Sequence, residues 1–221
     1  MIKPKVQIKK FLDGLTNHIA WIDARLEIYK YLQNCTKDNR IDALNVAPAF
    51  FRNIQEALLT DVILGLDKLY AAEKDAKRSL IQYLKQVKIH FRALEPAKSN
   101  FSIDLIEHQL VQIEKAQPLL KNLKVHRNKF YAHHEAKYFD NRYKLNEDAP
   151  LSTDDLTKLV DLAKGILHDH HGGLLDVERI MRVINADDVS FVIKSIQRYK
   201  RMVDDTEIFD ILVKRGELLK D

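Results

Sequence analysis

Cysteine is almost absent from this chain, with Cys35 the one thiol among 221 residues. A single thiol excludes an intrachain disulfide framework and any cysteine-built zinc site. Cys35 itself reads as a small, half-buried helix residue. Glycine and proline are scarce too, at six and five, so few positions favour turns and long regular elements are expected. No run approaches the ~18 uncharged apolar residues of a membrane span. The opening MIKPKVQIKKFLDG carries lysines but no apolar stretch like that of a signal peptide. A cytoplasmic protein without membrane contact is expected. No glycine-rich phosphate loop, nucleophile-elbow serine or paired-carboxylate motif can be placed. The rest is an ordinary globular composition, 46% hydrophobic and 31% charged, able to bury a sizeable core. A formal net charge of +4 is too small to identify a polyanionic partner.

Apolar residues recur at helical spacing along most of the chain. Ile8, Phe11, Leu12, Leu15, Ile19, Ile22, Leu26 and Tyr29 form one stripe and predict a helix over 5–34. TKDNRIDALN reads as a polar connection. Pro48 suits a helix first turn, and Phe51 through Leu69 extend a second helix to about residue 73. RSLIQYLKQVKIHFRAL predicts a third, stopped before Pro96. Ser102 can cap the fourth, which Pro118 should kink or split. DNRYKLNEDAP breaks the periodicity. Ser152 and Asp155 have capping-box spacing, and Gly172–Gly173 are expected to end the helix that follows. Helices over 175–184, 188–202 and 205–219 complete the reading. The fold class is all-α: an antiparallel bundle of about five helices over 1–173, and a helical C-terminal extension over 174–221.

The run VHRNKFYAHH, residues 125–134, is the hardest to place on that bundle. At ~100° per residue, His126, His133, His134 and Arg127 all fall within about 80° of Leu119, on the apolar face with Leu123 and Phe130. A buried guanidinium cannot shed its charge, and leaving it unpaired costs several kcal/mol. Two arrangements satisfy it. Acidic partners wait on a neighbouring helix, with Asp61 and Asp67 as candidates, or the face lines a cleft that takes an anion. Between residues 121 and 144 there are seven lysines and arginines against Glu135 and Asp140. Phe130, Tyr131, Tyr138, Phe139 and Tyr143 are interleaved with them. Cations with aromatic rings suit single-stranded nucleic acid, phosphate on charge and base on ring.

Arginine, a polar residue and a histidine, spaced as in Arg127, Asn128 and His133 and late in an all-α domain, resemble the motif of the HEPN superfamily. The run RNKFYAH, following AFFRNIQEALLTDVILGLDKLY, is similar to the AbiU-type abortive-infection branch over roughly residues 45–170. That resemblance implies a metal-independent endoribonuclease of toxin–antitoxin or phage-defence type, needing neither metal nor cofactor. It implies a homodimer with two motifs facing one cleft that admits RNA. The chemistry suits the residue types: histidine has a pKa near neutral for moving the 2′-hydroxyl proton, and arginine stabilises the developing phosphate charge. Arg127 is therefore assigned to the phosphate, His133 to proton transfer and Asn128 to orientation. His134, His126 and Tyr131 are supporting candidates, and His134 is the substitute for His133 because it shares Arg127's side of the wheel. Lys124, Lys129 and Lys137 are the candidate RNA-binding cations. An antitoxin such as a nucleotidyltransferase is a possible partner. Glu135 stands where some family members carry a tyrosine that such a partner adenylylates, so that modification is not implied. The alternative is a non-catalytic module of the same fold that binds RNA or a partner.

HDHHGG is a second histidine-rich run. His168 and His171 share a helix face, but no second-ligand motif accompanies them, and a solvated, fraying helix end is expected. Trp21 is expected in a helix core.

Overall fold

The computed structural model describes residues 4–37, 40–73, 76–132, 142–181, 183, 187–205, 210–211 and 213–215, and of 130–132, 142 and 143 the backbone. The chain is all-α, and among the described residues there is no strand. The helices are α1 (Pro4–Cys35), α2 (Ile41–Leu44), α3 (Pro48–Tyr70), α4 (Leu80–Leu94), α5 (Ile103–Lys115), α6 (Gln117–His126), α7 (Arg142–Asp148), α8 (Thr153–Leu175) and α9 (Asp188–Asp204). A π-helical turn, Arg127–Ala132, continues α6.

The helix ends follow local chemistry. Ser79 and Ser102 cap α4 and α5 by accepting from Gln82 and Leu105 backbone N–H groups. Ser152 and Asp155 complete the reciprocal capping box that opens α8. Pro118 splits its region as expected: α5 ends at Lys115, and α6 restarts with proline in its first turn. Glu95, in the left-handed conformation at φ 48°, ends α4 ahead of Pro96.

Two compact units form: Met1–Leu26 with Leu59–Val183, and Glu27–Leu58 with Ile184–Asp221. Helices α1 and α3 contribute to both. The larger unit buries Leu12, Ile19, Leu66, Leu69, Leu80, Leu84, Ile106 and Leu167, among others. Helix α3 approaches α1 closely at Gly65, where an added Cβ would lie 2.9 Å from the Ile22 side chain. Tyr70 Oη donates to the Leu159 carbonyl at 2.6 Å and ties α3 to α8. The smaller unit is built around Leu32, Cys35, Ala43, Leu44, Phe51 and Ile193. Cys35 is fully buried there, not half-buried.

Several expectations are corrected. The polar connection before Pro48 contains the short helix α2, because Ala43 and Leu44 find a core. The aperiodic DNRYKLNEDAP contains α7, whose Leu145 is buried, as is Ala149 just after it. Helix α8 does not stop at Gly172–Gly173 but runs to Leu175 and is capped by Asp176 at φ 50°. Gly173 is instead a packing residue: an added Cβ would lie 2.2 Å from the Phe101 ring. Its carbonyl accepts from the Ala97 and Lys98 N–H groups at 2.9 and 3.1 Å. The helix expected over 175–184 does not form across Asp176–Met181. That segment is held to α1 by Arg179, which pairs with Asp13 and donates to Asn17. Trp21 is 53% exposed, with the Arg25 guanidinium 5.8 Å from its ring centre. Much of the helix expected over 205–219 lies outside the described residues.

Candidate active site

Helix α6 is anchored before it reaches the motif. Asn122 Nδ2 donates to the Pro150 carbonyl at 2.8 Å. His126 Nε2 donates to the Ala149 carbonyl at 2.7 Å. Because a carbonyl only accepts, that bond fixes the Nε2–H tautomer. Burial lowers the His126 pKa, and the carbonyl bond opposes this only in part. A neutral, 6% exposed His126 therefore acts as an anchor for the last turn of α6. It lies on the apolar face, as the wheel predicted.

The backbone changes character immediately afterwards. The Arg127 N–H is shared between the Leu123 and Lys124 carbonyls, and the turn from Arg127 to Ala132 is π-helical. Such turns are rare and concentrate at functional sites. Each residue in a π turn advances by less than the ~100° of an α-helix. The α-helical angles used to compare His133 with His134 therefore do not hold beyond Arg127. His133, His134 and Lys137 lie outside the described residues, and for Tyr131 only the backbone is described.

Arg127 is 40% exposed at its side chain, and its Nε lies 3.2 Å from Oδ2 of Asp67 on α3. Its Nη1 also donates to Asn128 Oδ1. Of the two expected acidic partners, Asp67 takes this role, whereas Asp61 pairs with Arg25 at 3.1 Å. The Asp67 side chain is only 17% exposed. Burial raises its pKa, and the attraction of Arg127 offsets this only in part. Arg127, Asn128 and Asp67 thus form a hydrogen-bonded set on the rim of the larger unit. Beside them a cavity of about 600 Å³ is lined by Asp67, Tyr70, Leu120, Lys121 and Lys124. Lys124 is bound to Glu73 at 2.6 Å, and that hydrogen bond is the main reason the Glu73 pKa is lowered. Glu73 escaped sequence reasoning, since nothing in AAEKD marks its distant partner. Lys129 is exposed.

The second histidine run proves structural. His170 and His171 are 0% and 1% exposed, inside α8 and not at a solvated end. Gln109 Nε2 donates to Asp169 Oδ2 at 3.1 Å, which turns its Oε1 toward His170 Nε2 at 2.8 Å. His170 must then carry its proton on Nε2 and accept from the Tyr83 hydroxyl at Nδ1, 2.9 Å away. His171 Nε2 donates to Thr16 Oγ1 at 2.9 Å, and the Thr16 hydroxyl in turn donates to the Leu12 carbonyl at 2.8 Å. Burial pushes the His170 pKa down to about 3. His168 stays exposed. Among the described residues no group of three or more histidine, cysteine, aspartate or glutamate side chains is arranged to hold a metal.

The HEPN_AbiU2 family model, described as AbiU2, matches residues 5–191. No curated protein and no solved structure matches the chain. The family match reaches further at both ends than the resemblance read over 45–170. It takes in nearly all of α1 and the first turn of α9. With its length, its all-α architecture and its Arg127–Asn128 pair on a specialised turn, the chain belongs to the AbiU2 family of HEPN proteins.

Proposed function

We propose that this AbiU2-family module is a metal-independent endoribonuclease of toxin–antitoxin or phage-defence type, acting in the cytoplasm as a homodimer. In this reading the 2′-hydroxyl of RNA attacks the adjacent phosphorus and the 5′-oxygen leaves. The products are a 2′,3′-cyclic phosphate and a free 5′-hydroxyl. His133 takes the 2′-proton or supplies one to the leaving oxygen, a role that rests on the family motif. Arg127 stabilises the charge that develops on the phosphate. Asn128 and Asp67 orient the guanidinium.

The observation that carries this reading is the Arg127 set. A half-exposed arginine on a π turn is held at Nε by a largely buried carboxylate and at Nη1 by its motif neighbour. Arginine has five N–H donors, so a guanidinium aimed in this way has further donors to offer a phosphate. Lys124, Lys129 and Lys137 would extend the electrostatic surface for RNA.

The test is incubation of the purified chain with total RNA in the presence of a chelator. Cleavage should persist, vanish with His133→Ala, and fall about 10²–10³-fold with Arg127→Ala. Sedimentation equilibrium should show a dimer.

One observation favours a second reading, a non-catalytic module that binds RNA or a partner such as an antitoxin. Arg127 and Lys124 already hold Asp67 and Glu73, so each must loosen a carboxylate to take a phosphate. Intact RNA under every condition, with affinity and salt dependence both reduced by Arg127→Ala, selects this second reading.

A further inference from the structure

Two side chains of α6 hold two consecutive carbonyls just beyond the end of α7. Asn122 Nδ2 donates to the Pro150 carbonyl at 2.8 Å, and His126 Nε2 donates to the Ala149 carbonyl at 2.7 Å. One helical turn separates the two donors, so they share a face of α6. A break in the sequence presents the two acceptors. Pro150 has no N–H and disfavours the α region for Ala149, so α7 stops at Asp148. The Ala149 N–H still closes α7 by donating to the Leu145 carbonyl at 2.9 Å. Leu145 and Ala149, both buried, seat that turn in the core.

Packing by itself does not call for these donors. His126 is buried on the apolar face of α6, beside Leu123, where an aliphatic side chain would be ordinary. Pro150 is exposed, so water could satisfy its carbonyl without Asn122. What the two bonds do is close a loop. They join residues 28 and 23 positions apart. The segment between them begins at Arg127 and holds Asn128, Tyr131, His133 and His134. Arg127 directly follows His126, and its N–H is shared between the Leu123 and Lys124 carbonyls as the α-helix gives way to the π turn. A segment with both ends on one helix has fewer conformations to explore than a free one. Catalytic groups must be held within about 0.5 Å of their working geometry by residues that touch no substrate themselves.

We propose that Asn122 and His126 are positioning residues for the motif: their bonds to Pro150 and Ala149 clasp both ends of the segment that carries it and so fix the Arg127 turn. The effect on cleavage rests on the ribonuclease reading, whereas the clasp does not.

The experiment compares the wild-type chain with His126→Phe, Asn122→Asp and His126→Gln. Phenylalanine and aspartate cannot donate to a carbonyl, while glutamine keeps a donor. Backbone amide exchange is followed at Arg127 and Ala149 relative to Leu84 in the core, and cleavage of total RNA is measured with protein in excess. Urea unfolding confirms that each variant is folded, and Asn122→Asp, at a half-buried position, serves if His126→Phe does not fold. Exchange at Arg127 and Ala149 should rise at least tenfold relative to Leu84 in the variants that lose a donor. Their maximal cleavage rate should fall at least tenfold, with the half-saturating protein concentration within twofold of the wild type. His126→Gln should recover both readouts to within threefold. Unchanged relative exchange at Arg127 in both variants, or faster exchange with a wild-type cleavage rate, overturns the proposal. RNA left intact by the wild type counts against the ribonuclease reading alone. Exchange at Arg127 then decides the clasp: a rise that His126→Gln reverses supports it, and no rise overturns it.

Discussion

VHRNKFYAHH and HDHHGG look alike on paper, and the fold uses Arg127 of the first and His170 of the second in opposite ways. In HDHHGG the two buried rings have every polar atom named above committed: Tyr83 and Gln109 to His170, Thr16 to His171. In the described part of VHRNKFYAHH, His126 is used in this manner, and the next residue stands on a π turn with a largely buried carboxylate beside it. Histidine content therefore does not mark a working site. A closed hydrogen-bond network makes a histidine inert, while a charge held half in solvent stays available for a ligand. The electrostatics differ in sign as well. Burial depresses the His170 pKa and raises that of Asp67, so His170 is neutral at ordinary pH, whereas ionised Asp67 costs the fold energy.

The largest stability effect should come from the inert run. His170→Ala leaves the Tyr83 hydroxyl and Gln109 unsatisfied and opens a cavity, an expected loss of about 3–5 kcal/mol. Urea unfolding checks it, and a loss below about 1 kcal/mol would break the comparison. Acid should act through the same ring. Its folded pKa of about 3 lies below the ordinary 6.5. The unfolded chain therefore binds the proton first, and stability present above pH 6.5 declines as pH falls from 6.5 toward 3. His171 and His126, also lowered, add in the same direction. The urea midpoint should drop over that window, and His170→Gln should flatten the drop.

Gly173→Ala comes next. Its Cβ would meet the Phe101 ring at 2.2 Å, and overpacking of this kind costs about 1–3 kcal/mol. The thermal midpoint should fall by several degrees. The smallest effects belong to the motif. Arg127→Ala removes a partly exposed pair and should cost about 0–1 kcal/mol. Asp67→Asn keeps a hydrogen-bond acceptor and removes a carboxylate whose ionised form burial disfavours, so its stability should stay within about 0.5 kcal/mol of the wild type or exceed it. A loss of more than about 2 kcal/mol in either variant would make the Arg127–Asp67 pair a structural device like His170.

Most of the fold is legible because its signals are local. The stripe from Ile8 to Tyr29, the serine caps at 102 and 152 and the break at Pro118 each act within a turn or two of their own position. The Arg127–Asp67 pairing was legible in part, since a cation on an apolar face demands a partner and α3 offered two. Choosing Asp67 over Asp61 required the packing of α3. Gly173 looked like a stop signal because a glycine pair after a periodic run usually ends a helix. What it answers to is the ring of Phe101, more than seventy positions away in sequence.

The sequence by itself determined that this protein is helical, where most of its helices begin and end, and that Arg127 needed an acidic or anionic partner. Those properties follow from side-chain periodicity, caps and the cost of burying charge, all carried by neighbouring residues. Only the tertiary structure decided that His170 and His171 are inert, where the π turn falls, and that Asp67 and not Asp61 holds Arg127. These depend on which distant groups meet. A hydrogen bond or an ion pair closed across helices leaves no periodic trace in the chain.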